Sequence, residues 1–140
     1  MTARENILRA YRHERPEWVP NGFTEIDICD SFGERYFGEG TGKDWFGVSW
    51  TYIPEMFSQT ETPGQEVLED LEDWQEKVKF PDLDAYDWQA LAAEATKNWD
   101  RENKVSLCML LNGPFERMMS LMGFENAACA FYETPDEVHT

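Results

Sequence analysis

The segment Asp44-Trp45-Phe46-Gly47-Val48-Ser49-Trp50 sets one carboxyl group among three large aromatic side chains. An acid in such surroundings loses hydration, which disfavours its charged form and raises its pKa. A carboxyl group poised in this way can donate a proton during a reaction. The same residues also fit a plainer arrangement, in which Asp44 caps a turn beside core tryptophans. Other groups able to do chemistry are few. His13 falls at the end of a predicted helix, where a cationic ring would cap carbonyl groups, and His139 lies among the last residues. Cys29, Cys108 and Cys129 are odd in number and show no CxxC spacing. Cys108 and Cys129 have apolar neighbours, so the sequence casts them as core-filling thiols in a reducing compartment. No HxC, HExxH or GxGxxG pattern occurs, so the chain shows no metal or nucleotide site of its own.

The elements that must position these groups begin with Thr2 and Glu5, a capping box that opens a helix ending before Pro16. Ile7, Leu8 and Tyr11 form its apolar stripe. Trp18-Val19-Pro20-Asn21-Gly22-Phe23 reads as a short strand entering a turn. Asp30-Ser31 could start a short helix, and residues 38–42 form a loop by composition. Aromatic and β-branched residues predict a strand over 46–53. Residues 58–66 read as a polar connection, with Val67 pairing back as a hairpin, and 71–74 as one or two helical turns.

A helix over 85–102, capped by Asp84, presents Trp88, Leu91, Ala92, Ala95 and Trp99 on one face. Residues 105–111 are nearly continuous in apolar side chains, the pattern of a strand buried on both faces of a parallel sheet. Asn112-Gly113-Pro114 then opens a helix with Phe115, Met118, Met119 and Met122 on one side and Gly123 as its stop. Another helix covers about 125–132. Thr134-Pro135-Asp136-Glu137 is a second capping signature with only three residues behind it, as expected of a chain cut where its next helix begins. The alternation of helix and buried strand from residue 85 places the chain in the α/β class with parallel strands.

The length of 140 residues suits one domain, 1–140, and a 41% hydrophobic fraction is enough to bury a core. A formal charge of −16, from 12 basic and 28 acidic residues, would repel phosphate polyanions. Nucleic acid and anionic membrane surfaces are therefore not expected as partners. The N-terminus lacks the apolar stretch of a signal peptide, and no apolar run can span a bilayer, so a cytoplasmic protein is expected.

Several stretches in order resemble one family. Thr2-Ala-Arg-Glu-Asn-Ile-Leu-Arg-Ala-Tyr-Arg-His-Glu-Arg-Pro-Glu-Trp-Val-Pro20 resembles the opening of the uroporphyrinogen decarboxylase superfamily: a helix, a basic residue with proline, then Val-Pro entering the first barrel strand. Asp44-Trp-Phe-Gly-Val-Ser-Trp50 and Leu68-Glu-Asp-Leu-Glu-Asp-Trp, followed by Lys79-Phe-Pro-Asp-Leu-Asp84, resemble segments of its methyltransferase-like members. Gly113-Pro-Phe-Glu, Met122-Gly-Phe-Glu-Asn126 and Glu133-Thr-Pro135 look like the family's second strand–helix region. The resemblance implies an α/β fold, here the incomplete N-terminal part of a (β/α)8 TIM barrel with the first two strands and their helices.

Members of that family decarboxylate the acetate arms of uroporphyrinogen or move methyl groups to and from corrinoids and thiols. The resemblance implies, for the full-length methyltransferase, a small-molecule substrate or corrinoid protein as partner, and zinc held by His and Cys ligands later in the chain; this part binds no cofactor itself. Barrel chemistry sits at the C-terminal ends of strands. That places Asn112 after the second strand, Asn21 and Glu25 after the first, and Asp44 with Trp50 at the mouth. The decarboxylases carry an arginine-rich motif after the first strand, whereas no arginine occurs here between Arg15 and Arg35. Arginine forks are the usual clamp for carboxylates, so the expectation is a methyltransferase of the O-demethylase type, inactive alone, ahead of a porphyrinogen decarboxylase. The competing expectation from another class is a complete small acidic binding module.

Overall fold

A computed structural model describes residues 1–29 and 32–139. The short helix expected at Asp30-Ser31 lies outside the described residues. The elements in chain order are α1 (Ala3–Tyr11), β1 (Ile26–Cys29), β2 (Thr41–Lys43), β3 (Ser49–Ile53), β4 (Ser58–Glu61), α2 (Trp74–Lys77), α3 (Trp88–Thr96), β5 (Val105–Cys108), α4 (Pro114–Met122), α5 (Phe124–Glu133) and α6 (Pro135–Val138). Short 3-10 turns cover Pro54–Met56, Leu71–Asp73 and Leu83–Ala85. The protein is thus a mixed α/β molecule, and its described strands form small sheets, with no closed barrel among them. No described helix is long and apolar enough to cross a membrane.

The chain divides into two compact units. The first comprises Met1–Ser31 with Asp84–Met109. Its α1 starts on the expected capping box: Glu5 N donates to Thr2 Oγ1 at 3.1 Å and Thr2 N to Glu5 Oε2 at 2.9 Å. The buried side of α1 is Asn6 and Ile7, while Tyr11 is 71% exposed. Asn6 is fully enclosed because its amide works in both directions: Nδ2 donates to Trp18 O at 3.0 Å and Oδ1 accepts from Glu17 N at 2.7 Å. This one side chain ties the segment after Pro16 to the helix.

The strand expected over 18–23 is not formed; β1 begins at Ile26 instead. Asn21 explains the delay. Its Oδ1 accepts from Phe23 N at 2.9 Å and its carbonyl from Glu25 N at 3.0 Å, a local turn that takes donors a strand ladder would need. β1 pairs with β5 in parallel, from Ile26↔Val105 to Cys29↔Cys108. The second expectation to fail is burial: β5 is shorter than 105–111 and three of its four residues are exposed. An apolar run reports burial only where other layers cover it, and among the described residues β1 is its sole sheet neighbour.

Helix α3 is also shorter than expected. Asp87, not Asp84, caps it by accepting from Ala90 N at 3.0 Å, and none of its residues is buried. The turn from α3 to β5 is held by Asp100, which accepts from Asn103 N and Nδ2. Those bonds, the side-chain one first, hold its carboxyl below the ordinary value. Asp27 of β1 secures the same turn, accepting from Asp100 N at 2.7 Å and pairing with Lys104 at 3.3 Å.

The second unit comprises Phe32–Leu83 with Leu110–Thr140. β2, β3 and β4 form an antiparallel meander in which Trp50 faces Gly42 on one side and Glu61 on the other. The strand expected over 46–53 is present from Ser49. The expected polar connection at 58–66 contains β4, and Val67 does not pair with β3: Val67 N and Leu68 N both donate to Leu121 O, at 2.8 and 2.9 Å. α4 ends at Gly123, whose φ of 82° is a left-handed geometry that glycine adopts without strain. Val48, Trp50, Leu68, Leu121, Met122 and Ala127 form the core, with Phe115, Met118 and Met119 packed against it as their spacing implied. Cys129 on α5 and Cys108 on β5 are exposed, so neither fills a core. Thr134 does not cap α6; its hydroxyl donates back to Ala130 O at 3.4 Å.

Candidate functional site

The tripeptide Asp44-Trp45-Phe46 sits in the loop between β2 and β3 of the second unit. Gly47, at φ 82°, turns the loop back toward β3. The Asp44 side chain is fully enclosed. Its Oδ1 accepts from Phe46 N at 2.9 Å and Val48 N at 3.0 Å; its Oδ2 accepts from Trp50 Nε1 at 3.0 Å and Arg117 Nη1 at 2.8 Å. Two donors on each oxygen complete the acceptor capacity of a carboxylate. The side chain thus closes the loop together with the backbone bond from Asp44 N to Val48 O at 3.1 Å, and anchors Trp50 within the core.

Arg117 comes from α4. It lies between two carboxylates, Asp44 and Glu34, and also donates to Glu34 O at 2.6 Å. Its guanidinium stands 4.2 Å from the centre of the Phe46 ring, and Arg35 stands 4.4 Å from that of Trp50. Each is within the range of a cation–π contact. The set of an enclosed Asp44 with partly buried Glu34 and Arg117 carries a formal charge of one negative unit. It couples the loop, the helix and the β3 tryptophan in one network.

Beside this network is a cleft of about 410 Å³ lined in part by Lys43, Trp45, Phe46, Glu66, Lys77 and Lys79. Three of the chain's five lysines meet here, against its overall acidity. Lys77 pairs with Asp73 at 2.7 Å, and that bond raises its pKa above the ordinary value. Aromatic and lysine side chains lining one cleft suit a ligand bearing a carboxylate or phosphate on an apolar body.

Hydrogen bonds join two pairs of the expected residues. Asp44 meets Trp50, as just described, and Asn21 N donates to Glu25 Oε2 at 3.0 Å. Glu25 also accepts from Trp18 Nε1 at 2.6 Å. Trp50 is 1% exposed, in the core of its unit and not at a mouth. Asn21 and Glu25 precede β1; the later start of that strand puts them at its N-terminal end. Asn112 follows β5, and its Nδ2 is enclosed with no hydrogen-bond partner. Sequence reasoning missed Asn6, Glu34, Arg35 and Arg117. Arg117 carried a usable signal: it is the one basic residue between Lys104 and the C-terminus, on a helix otherwise marked by Met and Phe. No protein-family model, curated protein or solved structure matches the chain.

Proposed function

We propose that this chain forms the N-terminal part of a uroporphyrinogen decarboxylase-like (β/α)8 barrel, in the branch that transfers methyl groups in corrinoid-dependent systems. The ordered run of family-like segments supports the reading, and the observation that carries it is the parallel β1–β5 pair with α3 in its connection. Parallel sheets depend on covering layers, and an isolated two-stranded sheet is marginal in water. Here Ile28 is 44% exposed and Leu107 38%. Further strands and helices of a barrel would cover those positions.

In such a barrel Asn112 lies past the C-terminal end of its strand, on the reactive side. Its uncommitted amide donor suits a substrate oxygen. Asn21 and Glu25, ahead of β1, fall on the opposite, stabilising side. Asp44 and Trp50 serve by holding the loop whose cleft presents the lysines. Zinc supplies a Lewis acid in methyl transfer of this type. Among the described residues no cluster of three or more His, Cys, Asp or Glu side chains could hold a metal ion, and in the proposed barrel the His and Cys ligands come from the later part of the longer protein. Porphyrinogen decarboxylation ranks second, because a carboxylate clamp needs available arginines and Arg117 is engaged by Glu34 and Asp44.

One observation favours a self-sufficient binding module instead: the second unit has its own core and a satisfied ion network. Gel filtration with a thermal melt of the 140-residue chain separates the readings. The barrel reading expects association and dye binding through exposed apolar strands. A monodisperse chain with one cooperative melt sinks it in favour of the module. For the longer protein that the proposal assumes, zinc-replete expression should give about one bound zinc per chain. Zinc-free protein under those conditions removes the methyltransferase branch.

A further inference from the structure

Cys29 and Cys108 are 79 positions apart in sequence and directly opposite one another in space, as the last register partners of the β1–β5 pair. Both carry thiols, not a disulfide; Cys108 is exposed and Cys29 half-buried. Side chains alternate between the faces of a strand, so matched positions on adjacent parallel strands project to the same side. Asp27, Ser106, Cys29 and Cys108 therefore share one face, and Ile26, Ile28, Val105 and Leu107 the other. The thiols lie on the same side of the sheet as Asp27 and Ser106. Adjacent strands run about 4.8 Å apart, inside the Cα separation of about 4.4–6.8 Å that a disulfide spans. The main chain holds the two strands together here, with Met109 N donating to Cys29 O at 3.0 Å.

We propose that Cys29 and Cys108 form a dithiol site for small disulfide oxidants of the glutathione class. The accessible Cys108 thiolate attacks one sulfur of the oxidant, which breaks the S–S bond and releases one thiolate, leaving a mixed disulfide on Cys108. The Cys29 thiolate then attacks Cys108 Sγ and expels the second thiolate. The protons lost by the two cysteines end on the two released thiols. The protein pair is oxidised by two electrons, and the small disulfide is reduced to two thiols. The closed bridge fastens β1 to β5, and a reductant reopens it.

The test treats the native chain with glutathione disulfide and reads thiol titre, intact mass and the proteolytic map. The titre is expected to fall from three to one, the chain to become lighter by two hydrogens, and one peptide pair to join Cys29 to Cys108. Dithiothreitol should restore all three thiols. Cys129→Ser should leave the bridge intact, whereas Cys29→Ser should stop at the glutathione adduct on Cys108. Separate glutathione adducts on wild-type Cys29 and Cys108, or a bridge involving Cys129, overturn the proposal. The wild-type map decides by itself, so a variant that fails to fold does not blur the result.

Discussion

The fully enclosed Asp44 carboxylate gathers four donors from three parts of the chain, and each would be stranded by its loss. Removing one partner of a buried ion pair costs about 3–5 kcal/mol, because the remaining charge has lost its compensation. Asp44→Ala should therefore destabilise the second unit by about that amount in urea melts, and Arg117→Ala similarly. A change within 1 kcal/mol or so would show the network to be no stronger than a surface pair. Asn112 presents the opposite case. An enclosed donor without an acceptor carries a desolvation penalty of about 1–3 kcal/mol, so Asn112→Leu should leave stability unchanged or raise it. In a complete enzyme the same change should lower turnover if the amide serves a substrate. A destabilised Asn112→Leu protein would mean that this amide already has a structural task. The aspartate was legible in the sequence as a special residue because acid and aromatics were adjacent. Its partner was not: Arg117 lies 73 positions away, and no local pattern connects the two.

At the level of elements, local signals were readable and register was not. The Thr2–Glu5 box and the Gly123 stop depend on neighbours within one turn, and both formed. β4, Ser58–Glu61, was hidden because its residues are polar; it pairs with β3 because the 3-10 turn at Pro54–Met56, followed by Phe57 at φ 50°, returns the chain along that strand. The exposure of β5 was hidden for another reason. A run of apolar residues states what a strand would prefer, not what covers it. Glycine in β2 illustrates a packing constraint that composition misreads as a loop. A Cβ on Gly42 would stand 2.2 Å from the Tyr36 ring, and one on Gly38 2.2 Å from its hydroxyl. Gly42→Ala should thus cost about 1–3 kcal/mol as an overpacking change. In a Tyr36→Ala background the same substitution should cost little, since contacting residues couple in a double-mutant cycle. Equal costs in both backgrounds would place the constraint in the backbone and not in the ring.

For the whole molecule the governing quantity is charge. A chain at −16 repels itself when compact, and the repulsion acts over the Debye length, roughly 30 Å at 0.01 M salt and roughly 3 Å at 1 M. Attractive surface pairs work against this trend, because salt weakens them too. Among the described residues, those with both side chains exposed are Lys77 with Asp73 and Lys97 with Glu94, and such exposed pairs are weak. The Arg117 network is enclosed and responds little to added ions. Repulsion among 28 acids set against 12 bases outweighs two weak pairs. The melting temperature should accordingly rise as sodium chloride goes from about 0.01 to about 0.5 M, with the steepest gain at the low end, where the screening length shrinks most. Calorimetry across that series measures it directly. A melting temperature that falls with salt would mean that attractive pairs dominate the folded state, and the acidic surface would then need a compensating arrangement of charge beyond the pairs described.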